Sequence, residues 1–258
     1  MSDRYRVYST VLQSLKRLLA NQKQGHVVTL CMMIAGIVIG KKAQLSAMSS
    51  EIPYSAKDSS IEKRMRGFVK IDRITDSIYF LPFARELLAG LSGKSVVLAM
   101  DASVVGRGCM VLMIGVLYKK RMLPIAWVVY QGKKGHASAE IHLQVLEKLK
   151  PLIGQEADVI LLGDGEYDNT EMIKWIENQT NWHFVVRTAL NSMILCEGEW
   201  LSCAQLDVEP GHTLSVPDVL FTVENQYGPL HAIGWWKAAY EQPIYLLTNL
   251  ELADEALY

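Results

Sequence analysis

Val97-Leu98-Ala99-Met100-Asp101-Ala102-Ser103 is an apolar run that meets a single carboxylate. Short apolar runs of this kind read as buried strands, here over residues 95–100 with Asp101 at the end. The runs 109–117 and 122–130 are apolar and rich in β-branched residues, and Lys119, Lys120 and Arg121 lie between them, so they form a hairpin. Residues 139–150 read as a helix stopped by Pro151. A second strand, 159–162, closes on Gly163-Asp164-Gly165. Asn169 then caps a helix that runs to Gln179, and residues 183–187 make another strand. Three strands in meander followed by helix–strand–helix–strand describe a mixed α/β sheet.

Outward from this centre the texture changes on both sides. Residues 190–242 are rich in Gly, Pro, Trp and Thr with short alternating runs, as in a small β-rich insertion. A buried strand resumes at 243–248, and a helix opens at Ala253, one turn before Tyr258. On the amino-terminal side, residues 1–90 read as helices alone. One carries Val11, Leu12, Leu15, Leu18 and Leu19 on one face. Further helices are expected over 27–39, 43–50 and 74–89. Ser59 and Glu62 form a capping-box pattern, so a helix is expected to start at Ser60, with Ile61, Met65, Phe68 and Val69 inward. Gly90-Leu91-Ser92-Gly93 reads as a linker, giving domains 1–90 and 94–258.

The chain has 258 residues, 50% hydrophobic and 21% charged, which excludes a disordered chain, a collagen and a coiled coil. Its longest apolar run, 27–39, falls short of the roughly 20 residues that cross a bilayer, so no membrane association is expected. Cys31, Cys109, Cys196 and Cys203 form no CxxC pair and fit reduced thiols in a cytoplasmic protein.

The net charge of −1 hides a division. Residues 1–73 hold 13 Lys or Arg against 5 Asp or Glu, a net +8; the remainder holds 13 against 22, a net −9. A basic helical module on an acidic body points to contact with a polyanion through the first module. Lys41, Lys42, Lys63, Arg64, Arg66 and Lys70 are the candidates for DNA phosphate contacts, because cations on helices beside short turns suit that task.

Asp101 and Asp164 each follow a buried strand, and adjacent strands would bring them together. Burying two carboxylates side by side is costly without a cation. Mg2+ is the natural one, being hard and oxygen-seeking. Two such ions about 4 Å apart activate a water and stabilise the leaving oxygen in phosphodiester cleavage.

The two acidic stretches and the hairpin between them resemble bacterial insertion-sequence transposases of the DDE type, with a β-rich insertion between the second and third acids. The extended second stretch, Leu161-Leu162-Gly163-Asp164-Gly165-Glu166-Tyr167-Asp168, carries much of that likeness, with Gln131-Gly132-Lys133-Lys134-Gly135-His136 and Arg64-Met65-Arg66-Gly67-Phe68. The resemblance implies a ribonuclease H-like core and a nucleoid-associated protein that acts on double-stranded DNA, at transposon ends and target, as a homodimer or larger assembly. It implies that Asp101 and Asp164 are catalytic, Asp101 bridging two Mg2+ (or Mn2+) ions and Asp164 holding one. The third acid of that family is a glutamate in a Tyr-x-x-Arg-x-x-x-Glu pattern after the insertion. Glu251 and Glu255 are the nearest carboxylates and neither sits in the pattern, so no residue is assigned. The chain is accordingly expected to be truncated before that acid. The alternatives are a catalytically dead DNA-binding fragment that represses transposition, and a pseudogene remnant.

Other signals point elsewhere more weakly. Gly93-Lys94-Ser95 lacks the first glycine of a P-loop, with Leu88 in its place. His136 and His142 lack a zinc-type partner set and read as exposed or capping residues. Glu166 and Asp168 read as turn and helix-start residues, and of Trp235 and Trp236 one is expected in the core.

Overall fold

The computed structural model describes residues 2–91 and 95–251. The linker residues Ser92 and Gly93 and the helix expected from Ala253 lie outside the described residues. The chain divides into two compact units, Met1–Leu87 and Leu88–Tyr258.

The first unit is helical: α1 (Asp3–Leu18), α2 (Gln24–Gly40), α3 (Leu45–Ser49), α4 (Asp58–Phe68), α5 (Asp76–Tyr79) and most of α6 (Leu81–Ala89). Helix α2 is apolar nearly all round and buries Val27, Cys31, Met32 and Ala35. It is the axis of two clusters, one with Met48, Ile52, Ile61 and Met65, the other with Leu15, Leu19 and Tyr79. Each such side chain, fully buried, contributes about 1.5–3 kcal/mol. Gly36 lets α3 close on α2, since a Cβ there would sit 2.8 Å from the Cβ of Met48. Helix α2 ends on Lys41, which adopts the left-handed conformation (φ 52°) and donates its backbone N–H to Ile37.

Three details differ from expectation. Helix α4 starts at Asp58, and its N-cap residue Lys57 makes no side-chain cap. Asp58 supplies the first-turn negative charge that the helix dipole favours, in place of the Ser59–Glu62 box. Val69 is the C-cap of α4 and is 56% exposed, not inward. The expected helix over 74–89 is broken between α5 and α6, where Pro82 has no N–H to carry the ladder across.

The second unit is one ten-stranded sheet: β1 (Val96–Gly106), β2 (Cys109–Tyr118), β3 (Arg121–Gln131), β4 (Val159–Gly163), β5 (His183–Thr188), β6 (Met193–Cys196), β7 (Glu199–Ser202), β8 (Thr213–Phe221), β9 (Tyr227–Trp235) and β10 (Ile244–Thr248). Their order is β3-β2-β1-β4-β5-β10-β9-β8-β6-β7. Strands β1, β2 and β3 form an antiparallel meander, whereas β4 runs parallel to β1 and β5 parallel to β4. Helix α7 (Ala139–Leu149) connects β3 to β4, and α8 (Thr170–Gln179) connects β4 to β5. This is the mixed α/β arrangement that the element order predicts. Asn169 caps α8 as expected, its Oδ1 accepting from Met172 N at 2.8 Å.

The region 190–242 is β-rich, as expected, and joins the sheet. Strand β10 pairs with β5 on one side and β9 on the other, so β6–β9 continue the same sheet.

Candidate active site

Asp101 lies inside β1, not after it. Parallel pairing with β4 covers Val96 to Ala99, and β1 then runs on against β2 alone, with Asp101 opposite Met113. The last parallel pair is Ala99 with Leu162. Asp101 and Asp164 each stand two residues beyond that pair, Asp101 still within β1 and Asp164 in the turn just after β4, so the register brings the two acids to the same end of the β1–β4 pair. Alternation does the rest: Met100 and Ala102 turn into the core while Asp101 faces out.

The turn after β4 is built around Asp164. Its Oδ1 accepts from Glu166 N at 3.0 Å, and its carbonyl accepts from Tyr167 N at 3.1 Å. Gly163 is required there, because a Cβ would stand 2.9 Å from the Cβ of Tyr167. Tyr167 is 1% exposed and packs edge-on against His142, ring centroids 5.3 Å apart. Burial pushes its phenol well above the usual range, reinforced by the nearby charges of Asp164, Glu166 and Asp101. Among the described residues the hydroxyls of Tyr130 and Tyr167 and the Oε2 of Glu166 are buried without hydrogen-bond partners. Burial, with the Glu166 charge beside it, also raises Tyr130. Sequence reading gave neither tyrosine a role: Tyr167 lies in the stretch around Asp164 but was not singled out, and only folding brings Tyr130 of β3 near Glu166 and Tyr167.

Asp101 and Asp164 themselves are exposed, so no burial cost demands a cation. Among the described residues no three His, Cys, Asp or Glu side chains gather as a metal cluster. The donor set is a pair of carboxylates, which suits Mg2+, an ion commonly held by one or two carboxylates with waters and substrate phosphate.

Asp168 accepts from Thr188 Oγ1 at 2.7 Å, tying the start of α8 to the end of β5. Burial raises its carboxyl, opposed by that hydrogen bond. His142 is 2% exposed, contrary to the exposed or capping role expected, and its Nδ1 lies 2.8 Å from Asn169 Nδ2. His136 is exposed. Neither tryptophan of the expected core–surface pair is buried: Trp235 is 38% exposed, and Trp236 donates from Nε1 to the Tyr240 carbonyl.

The helical unit separates the six candidate phosphate contacts into two kinds. Lys41, Lys42, Lys63 and Lys70 are exposed and form no ion pair among the described residues. Arg64 instead bolts α4 to the start of α2, donating from Nε to Thr29 Oγ1 at 2.8 Å and from Nη2 to the Gly25 carbonyl at 3.0 Å. Arg66 is paired with Glu62 one turn back, at 2.5 Å.

Residues 93–204 match the family model of the transposase DDE domain, a phosphoryl-transfer family that generally uses divalent metals. No curated protein matches the sequence. Among solved structures the chain is similar to a piggyBac transposase in a synaptic complex with hairpin DNA, at 12% identity and a TM-score of 0.45. That likeness covers 97% of this chain and 60% of the other, so this chain spans under two thirds of its length. Human endonuclease V is similar at 14% identity and a TM-score of 0.31, over 69% of this chain and 86% of that one. Endonuclease V of Ciona intestinalis, with DNA containing an inosine, is similar at 15% identity and a TM-score of 0.32, over 72% and 87%.

Proposed function

We propose, from the match of residues 93–204 to a transposase DDE domain, that this chain is a DNA transposase acting at transposon ends. The observation that carries the reading is the register of Asp101 beside Asp164 at the end of β4, inside the matched segment. In the reaction, water attacks the phosphodiester at the transposon end, the P–O3′ bond breaks, and a 3′-hydroxyl is released. That hydroxyl then attacks a target phosphodiester in line, forming a new P–O3′ bond as the target strand's own P–O3′ bond breaks and leaves a free 3′-hydroxyl, with the attacking hydroxyl's proton passing to solvent. Asp101 and Asp164 would hold Mg2+ or Mn2+, which supplies charge neutralisation and water activation when bound. The hydrogen bond from Glu166 N to Asp164 and the pairing of β1 with β2 around Asp101 support this arrangement of the two carboxylates. Exposed Lys41, Lys42, Lys63 and Lys70 on the helical unit contact the phosphates of duplex DNA, and two copies of the chain act together on it.

A second reading is DNA binding without cleavage, as in a repressor of transposition. The lack, among the described residues, of three acidic, His or Cys side chains gathered as a metal site favours it. One experiment separates the two: supercoiled plasmid nicking in Mg2+ and Mn2+, alongside duplex binding. The transposase reading expects nicking by the wild type and a loss of at least about a hundredfold in Asp101→Asn and Asp164→Asn. Their binding in EDTA should stay unchanged. Binding with no nicking in either metal favours the repressor; no binding at all sinks both.

A further inference from the structure

We propose that Arg187 grips a phosphate of the DNA strand laid across the Asp101–Asp164 pair. The contact rests on the transposase reading and adds a cation from the sheet unit to the lysines of the helical unit. Its ground is again register. Strand β5 pairs with β4 through Gly163 and Val186, so one residue further Arg187 stands beside Asp164. Asp101, Asp164 and Arg187 thus form one row across β1, β4 and β5. Neighbouring strands lie about 4.8 Å apart, which sets the strand of Arg187 about 10 Å from that of Asp101.

Arg187 is exposed and forms no ion pair among the described residues. The carboxylates around it have other partners: Asp168 accepts from Thr188, and Asp164 accepts from Glu166 N. Its side chain lines a cavity of about 290 Å³ with Asp164, Glu166, Thr188, Gln242 and Tyr245, and it is the one cation there among the described residues. The backbone beside it is tied down, since the Thr188–Asp168 bond holds the strand end. An unpaired guanidinium on a held strand end presents a planar fork that matches two phosphate oxygens. Two acids share its cavity and repel an anion unless a divalent cation neutralises them. The contact therefore forms with Mg2+ and not without it, whereas a guanidinium that merely balances the acids would matter under both conditions.

The test is binding of a mixed-sequence duplex to the full chain by fluorescence anisotropy, over a salt series, in Mg2+ and in EDTA. Arg187→Ala is expected to weaken binding about tenfold in Mg2+ and to lower the salt slope by about one, with no change in EDTA. Arg187→Lys keeps the slope and recovers part of the affinity. Equal binding by Arg187→Ala and wild type in Mg2+, or an equal loss in Mg2+ and EDTA, overturns the assignment and leaves the transposase reading standing. A wild type that binds no duplex in either condition overturns both. Unchanged melting by circular dichroism, expected of so exposed a residue, shows that the variant is folded.

Discussion

The two units use arginine in opposite ways. In the helical unit Arg4 pairs with Glu51, Arg6 with Asp3, Arg17 with Glu86 and Arg66 with Glu62, while Arg64 binds Thr29 and Gly25. In the sheet unit Arg187 stands unpaired at a strand end beside two acids. Formal charge is therefore a poor guide to the charge offered to a ligand. Four of the 13 cations of residues 1–73 are ion-paired and Arg64 is held by neutral acceptors, which leaves its seven lysines and Arg73 without an ion pair among the described residues, and the net −9 of the remainder conceals a cation at the candidate site.

The sharpest way to break this contrast is to exchange the roles. Arg64→Ala removes two hydrogen bonds from a charged donor that join α4 to α2. The expected cost is about 2 kcal/mol, given that hydrogen bonds to charged groups contribute about 1.5–3 kcal/mol. It should appear as faster hydrogen exchange in α2 and α4. The double variant Lys63→Ala, Lys70→Ala should leave stability within about 0.5 kcal/mol and lower the salt slope of duplex binding by about two. If Arg64→Ala left exchange untouched and weakened binding like the lysine pair, the division between structural arginines and free lysines would be wrong.

The sheet centre was legible because strand pairing follows the apolar runs. The hairpin, β4, β5 and the Asn169 cap all sit where turn residues and β-branched stretches place them. What escaped was set by partners distant in sequence. Whether Asp101 ends a strand depends on where β4 stops pairing, and β1 has β2 to continue against. That residues 190–242 continue the sheet depends on β10, which bridges β5 to β9. The burial expected of Asp101 and Asp164 failed for a local reason: period-two alternation turns Asp101 outward, and Asp164 sits in an open turn. The split between Arg64 and Lys63 was equally hidden, since neighbouring residues on a helix face different sides.

A smaller effect separates the units by pH. His142 accepts from Asn169, whose own Oδ1 is committed to Met172 N, so its Nδ1 must be free of a proton. Burial holds its pKa below the ordinary histidine value. A depressed histidine contributes stability that is full above the unfolded pKa, about 6.5, and lost as pH falls through the folded value. Acidification from neutral pH should therefore loosen α7 and the start of α8, while α2 and α4 keep their protection. His142→Gln should flatten that response. Uniform loosening of both units would contradict this account.

The smallest expected change runs the other way. Burial raises the Asp168 carboxyl, so its contribution is full below the unfolded pKa and lost as pH rises through the folded one. At neutral pH the buried charge is a burden that the bond from Thr188 only partly offsets. Asp168→Asn removes the charge and keeps an oxygen for Thr188, so the urea midpoint at neutral pH should rise slightly. The gap from wild type should close on acidification, as Asp168 itself takes up a proton. A lower midpoint in Asp168→Asn would mean that the charge is used, placing Asp168 with Asp101 and Asp164 in the chemistry and not in the scaffold. Nicking by this variant checks the same point: a scaffold residue leaves the rate unchanged, and a metal-holding one does not.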